Sequence, residues 1–104
     1  MTADRPSRIM ILCIDDDPDI LRLLEKILSD ENYTIITAAD GKKGLDLARS
    51  IGPDLILLDI MMPEIDGYAV CRALKEDVGT AYIPIIFITA KNENEDEAKG
   101  LKMG

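Results

Sequence analysis

Residues 55–67 read Leu-Ile-Leu-Leu-Asp-Ile-Met-Met-Pro-Glu-Ile-Asp-Gly, and this stretch limits the fold more than any other. Four apolar residues, Leu55 to Leu58, run directly into Asp59. Pro53-Asp54 before the run and Met62-Pro63 after it are turn signals. A short apolar run between such signals reads as a strand covered on both faces. Asp59 then stands at the carboxyl end of a central strand, where open α/β sheets place their chemistry. The plainer reading of the same residue is a carboxylate that caps a turn.

Other segments repeat the pattern. Ile9 to Ile14 is a second apolar run, and it ends in Asp15-Asp16-Asp17-Pro18. Asp17 before Pro18 fits a helix N-cap with proline at the first helical position. The helix that follows runs to about Asp30, with Ile20, Leu24, Ile27 and Leu28 on its apolar stripe. Asp15 and Asp16 remain at the strand end, where two adjacent acids repel and are expected to have raised pKa values unless something neutralises them. Tyr33 to Ala38 reads as a third strand, and Asp40 caps a helix over 41–51 with Leu45, Ala48 and Ile51 inward, stopped by Gly52-Pro53. Asp66 caps a helix to about Asp77 with Val70, Cys71 and Leu74 inward. Pro84 to Ile88 is a fourth buried strand that leads into Thr89-Ala90, and a weaker helix spans about 93–103. The order β-α-β-α-β-α-β-α predicts an α/β fold, a doubly wound parallel sheet of flavodoxin type covered by helices on both faces. Residues 1–8 form a loose lead-in, and 9–104 form one domain.

Composition removes several functions. Twenty acidic against twelve basic residues give a net charge of −8, which repels phosphate backbones, so direct nucleic-acid binding is not expected. Aromatics are 4% of the chain, too few for a base-stacking platform. Histidine is absent, which excludes Ser-His-Asp catalysis and His-ligated zinc. Cys13 and Cys71 lie in apolar patterns and read as buried thiols rather than a disulfide. No apolar stretch is long enough to span a membrane, so a cytoplasmic location with no membrane contact is expected.

On this fold Asp15, Asp16, Asp59 and Thr89 fall at the carboxyl ends of three strands. Converging carboxylates suit a hard cation, and oxygen ligands with few neighbours point to Mg2+. A carboxylate beside such a cation can attack phosphorus and form an acyl phosphate. Thr89 could donate a hydrogen bond to a phosphoryl oxygen, and Ala90 is small enough to allow close approach. Three surface acids beside loops are the alternative.

Ile14-Asp15-Asp16-Asp17-Pro18, Leu57 to Gly67 and Ile88-Thr89-Ala90 together resemble the receiver domain of two-component response regulators. The resemblance implies a signalling domain rather than an enzyme. Asp59 would be the phosphoacceptor, served by a histidine kinase or a phosphotransfer protein. Asp15 and Asp16 would be the acid pair of the Mg2+ site, Asp59 a ligand with them, and the backbone carbonyl of Met61 a further one. Thr89 would be the switch hydroxyl beside Ala90, and Met61 and Lys91 would flank the path of the hydrolytic water. Asp66 to Ala73 and Ile83 to Lys91 also resemble receivers joined to diguanylate cyclases or hybrid kinases.

The family carries a fifth strand and helix with a lysine at the strand end, and this stretch stops before them; Lys99 and Lys102 come too early to match. Two expectations follow from the resemblance. The fourth strand should present an apolar edge that favours a homodimer or element exchange. Phosphorylation should be impaired. Two other readings compete: a haloacid-dehalogenase-type phosphatase using Asp15-x-Asp17, and a receiver fold used only to dimerise.

Overall fold

The computed structural model describes residues 9–63 and 65–88. Four strands, β1 (Met10–Ile14), β2 (Thr34–Ala38), β3 (Leu55–Asp59) and β4 (Ile85–Ile88), alternate with α1 (Pro18–Ser29), α2 (Gly41–Ile51) and α3 (Gly67–Glu76). All strand pairs are parallel, in the order β2-β1-β3-β4. The anticipated helix over 93–103 lies outside the described residues.

Local chemistry sets the boundaries. Asp17, Asp40 and Asp66 each accept a hydrogen bond from a backbone N–H of the helix they precede, those of Asp19, Lys43 and Ala69. This satisfies donors that the first helical turn leaves free. Pro18 opens α1 with the fixed φ a first helical turn requires. Gly52 ends α2 in the left-handed region at φ 60°, where its missing side chain removes the usual penalty.

Two apolar layers enclose the sheet. On one face Leu12, Ile14, Ile56, Leu58 and Ile85 pack with Ala48 of α2 and with Val70, Cys71 and Leu74 of α3. On the other, Ile11, Cys13 and Leu57 pack with Leu21, Leu24 and Leu28 of α1. Both cysteines are free, buried thiols; burial pushes Cys13 up to about 11 and also raises Cys71.

Three sequence expectations need correction. Leu21 is the buried residue of α1, with Leu24 and Leu28 one and two turns on, whereas Ile27 is exposed. Ile27 lies a helical step too far round to reach the sheet. In α2 Ala48 is buried and Leu45 packs half-buried against the core as expected, but Gly41 and Gly44 are also buried and Ile51 is only half-buried. This helix approaches the sheet through its smallest residues. β4 is not buried along its length: Ile86 is 50% exposed on the outer strand of the described sheet, while Ile88 packs against the cluster on the α1 face.

Candidate functional site: an acid cluster at the carboxyl edge

β1 and β3 are adjacent, with Ile14 opposite Leu58. The residue that follows β1, Asp15, and the residue that ends β3, Asp59, therefore leave the sheet side by side. Helices run back from this edge on opposite faces, so the strand ends open a crevice at the point where the chain direction divides. Asp15 and Asp59 are 2% and 6% exposed, while Asp16 is open to solvent. Each of the three offers a carboxylate oxygen within 4.8 Å of the other two.

Backbone donors partly offset the cost of these buried acids. The Asp17 N–H donates to Asp15 Oδ1 at 2.9 Å, and the Met61 N–H donates to Asp59 Oδ1 at 3.4 Å. The offset is incomplete. Burial, and then the facing Asp15 carboxylate, push Asp59 from 3.8 up to about 7. Burial likewise raises Asp15. Asp15 and Asp59 are thus both raised, across two strands, and the charge of Asp16 adds to the rise of each. Two buried carboxylates at this separation each favour the protonated form of the other where no cation is present.

Oxygen donors alone, clustered and electron-rich, fit a hard divalent cation and would suit zinc or copper poorly. The stranded negative charge is itself the observation that favours such a fit. Beside the acids, Asp16, Ala39, Asp40, Gly41, Lys42, Met62, Pro63 and Ile65 line an open groove of about 160 Å³. Nothing in the residue pattern announced this groove, because three separate loops form it. Met61 is 47% exposed beside the site. Thr89, Ala90 and Lys91 lie outside the described residues; Thr89 directly follows Ile88, whose Cα is paired with that of Asp59.

A parallel β2-β1-β3-β4 sheet with helices on both faces and paired acids at its carboxyl edge is a flavodoxin-like fold. Residues 11–104 match the response regulator receiver domain family, and the chain belongs to that family. It is 47% identical over 94 residues to the response regulator PleD of Caulobacter vibrioides, covering 90% of this chain and 21% of that protein. It is 44% identical over 94 residues to the DNA-binding dual master transcriptional regulator RpaA of Synechocystis, covering 90% of this chain and 39% of that protein. The chain thus spans well under half the length of these curated relatives. Among solved structures, the chemotaxis protein CheY4 of Vibrio cholerae superposes with a TM-score of 0.81 at 28% identity, over 94% of this chain and 82% of that one. The N-terminal domain of a response regulator receiver protein from Methanoculleus marisnigri gives 0.78 at 38% identity, over 86% and 73%. No helix among the described residues is long and apolar enough to cross a membrane.

Proposed function

We propose that this domain accepts a phosphoryl group on Asp59 from a phosphohistidine of a histidine kinase or phosphotransfer protein. The observation that carries the reading is the buried Asp59 carboxylate at the end of β3, within 4.8 Å of Asp15 and Asp16. An oxygen of the deprotonated Asp59 carboxylate attacks phosphorus. The P–N bond to the donor imidazole breaks as the P–O bond forms, and the electron pair leaves with the imidazole. Asp15, Asp16 and Asp59, with the Met61 carbonyl, would hold Mg2+. That ion, when bound, would neutralise charge on the incoming group. The Asp17 amide fixes Asp15, which offers an oxygen within 4.8 Å of Asp59. Thr89 is assigned the hydroxyl that contacts the phosphoryl group, Ala90 the small residue beside it, and Met61 and Lys91 the flank of the water path. Family membership supports these assignments.

The phosphorylated form would act on an output domain such as a diguanylate cyclase or a transcriptional regulator. With a net charge of −8, no nucleic-acid contact is assigned to this domain itself. The reading places the domain in the cytoplasm with its kinase. The test is intact mass after incubation with Mg2+ and acetyl phosphate. A gain of one phosphoryl group that Asp59→Asn removes is expected; an equal gain in the variant would sink the assignment.

A second reading, a receiver fold that associates with its own copy, is favoured by an open groove of about 510 Å³ on the α1 face. Ile9, Ile11, Leu55, Leu57, Pro84 and Ile86 line it, and β4 borders it. Sedimentation at rising concentration checks this: a dimer weakened by Ile86→Lys is expected, and a monomer throughout would remove the reading.

A further inference from the structure

Asp59 sits where β3 leaves the sheet, and the ladder beyond it is weak: the Ile60 N–H reaches Ile88 O at 3.3 Å. Some other element must hold the acceptor in place, and the first turn of α3 is built to do so. The Gly67 N–H donates to Ile60 O at 2.8 Å. A methyl group placed on Gly67 would overlap the Asp59 carbonyl oxygen and stand 2.8 Å from Ile60 Cα and 3.0 Å from Asp59 C. All three atoms are backbone, so no side chain could swing aside to relieve the overlap. The turn is pinned on both sides: Asp66 caps it through the Ala69 amide at 2.8 Å, and the Tyr68 ring packs at 5.2 Å on Phe87, whose Cα pairs with that of Leu58. Gly44 makes a useful contrast. It is also buried, but a methyl group there would meet only side-chain atoms, those of Ile14, with Cδ1 at 2.5 Å, Cγ1 at 2.8 Å and Cγ2 at 3.1 Å.

We propose that Gly67 is a positioning residue for Asp59: without a side chain, it lets the first turn of α3 press on the acceptor's backbone and hold the carboxylate at the acid cluster. The proposal rests on the phosphoacceptor reading and adds a residue to it. Displacing a reacting group by about an ångström costs on the order of a hundredfold in rate.

The experiment compares Gly67→Ala and Gly44→Ala with the parent chain. It measures folded fraction by urea titration, Mg2+ affinity by calorimetry, and phosphoryl uptake from acetyl phosphate at saturating Mg2+. Per folded molecule, Gly67→Ala is expected to lose about tenfold or more in uptake rate and to bind Mg2+ several-fold more weakly. Gly44→Ala should lose stability alone. Parent-like uptake and Mg2+ affinity in folded Gly67→Ala would overturn the proposal. If that variant does not fold, Asp66→Ala loosens the same turn without adding an atom. A several-fold drop in its uptake per folded molecule supports the proposal, and no drop overturns it. If the parent chain takes up no phosphoryl group, the phosphoacceptor reading fails by itself. Mg2+ affinity then decides the positioning role: weakened in Gly67→Ala and kept in Gly44→Ala supports it, and equal affinity in all three chains overturns it.

Discussion

The two ends of the sheet treat the same residue type in opposite ways. At the amino end, Asp54 accepts from the Met10 N–H at 2.8 Å. Asp77 takes the Gly79 N–H at 2.9 Å and Arg49 Nε at 3.0 Å, and its carboxyl is held below the usual range by that amide and by Arg49. Buried Thr80 donates to Leu74 O at 2.7 Å, and Lys75 Nζ reaches the carbonyls of Ala81 and Ile83. At the carboxyl end, Asp15 and Asp59 face one another with one backbone donor apiece and raised pKa values. Acids at the first end are partnered and stabilise loops. The facing pair at the second is left under-compensated, a cost that a fold retains where the charge has work to do.

The largest test of this contrast is Asp59→Asn. Phosphoryl uptake should vanish while the cation-free protein becomes more stable at pH 8, because one of two repelling carboxylates is gone. Uptake can be read by intact mass and stability by thermal midpoint. A midpoint that falls would show that Asp59 contributes to the fold rather than straining it.

Mg2+ gives the next effect. At about a hundred times its Kd it should stabilise the parent by about 2.7 kcal/mol. Asp16→Ala should abolish most of that gain, as urea unfolding with and without the ion would reveal.

At the opposite end, Thr80→Val removes the hydroxyl that donates to Leu74 O and leaves only the longer Asp77 N–H bond at 3.4 Å, and a loss of about 1 kcal/mol in urea unfolding is expected. Mg2+ affinity should stay at the parent value; a change would mean the two ends are coupled.

The last comparison is of pH. A group whose folded pKa is raised gives stability that is complete below its unfolded pKa and lost as pH rises through the folded one. For Asp59 that window runs from 3.8 to about 7, so the cation-free protein should lose stability across it. Asp77, with its lowered pKa, has the opposite sign: its contribution is present at neutral pH and lost on acidification below the ordinary carboxylate range. Asp77→Asn should therefore flatten the acid limb alone and Asp59→Asn the limb toward neutrality. Thermal midpoints of both variants from pH 3 to pH 8 would separate the two ends.

Much of this was legible in the chain because its physics is local. Capping needs only an acid three residues or fewer before the amide it serves, so Asp17, Asp40 and Asp66 could be read in place. Apolar runs ending in Asp15 and Asp59 fixed the strands and their exits, and strict alternation made the sheet parallel. Asp15, Asp16 and Asp59 were legible as a cluster because strand ends in such sheets converge. Other features depend on which surfaces meet, and periodicity does not carry that information. Ile27 fits the apolar stripe of α1 yet faces solvent, and Ile86 belongs to an apolar strand yet is half exposed. Asp15 meets Asp59, 44 residues away, as well as its neighbour Asp16. Gly67 reads in the sequence as the residue after a cap, and only the packing of α3 against the end of β3 turns its missing side chain into a constraint on Asp59. The sequence determined the elements, their order and the acids at their ends, since these follow from contacts within a few residues. Tertiary structure decided which acids repel, which apolar residues are covered and which glycine carries a load, since those depend on distances between segments that the chain keeps far apart.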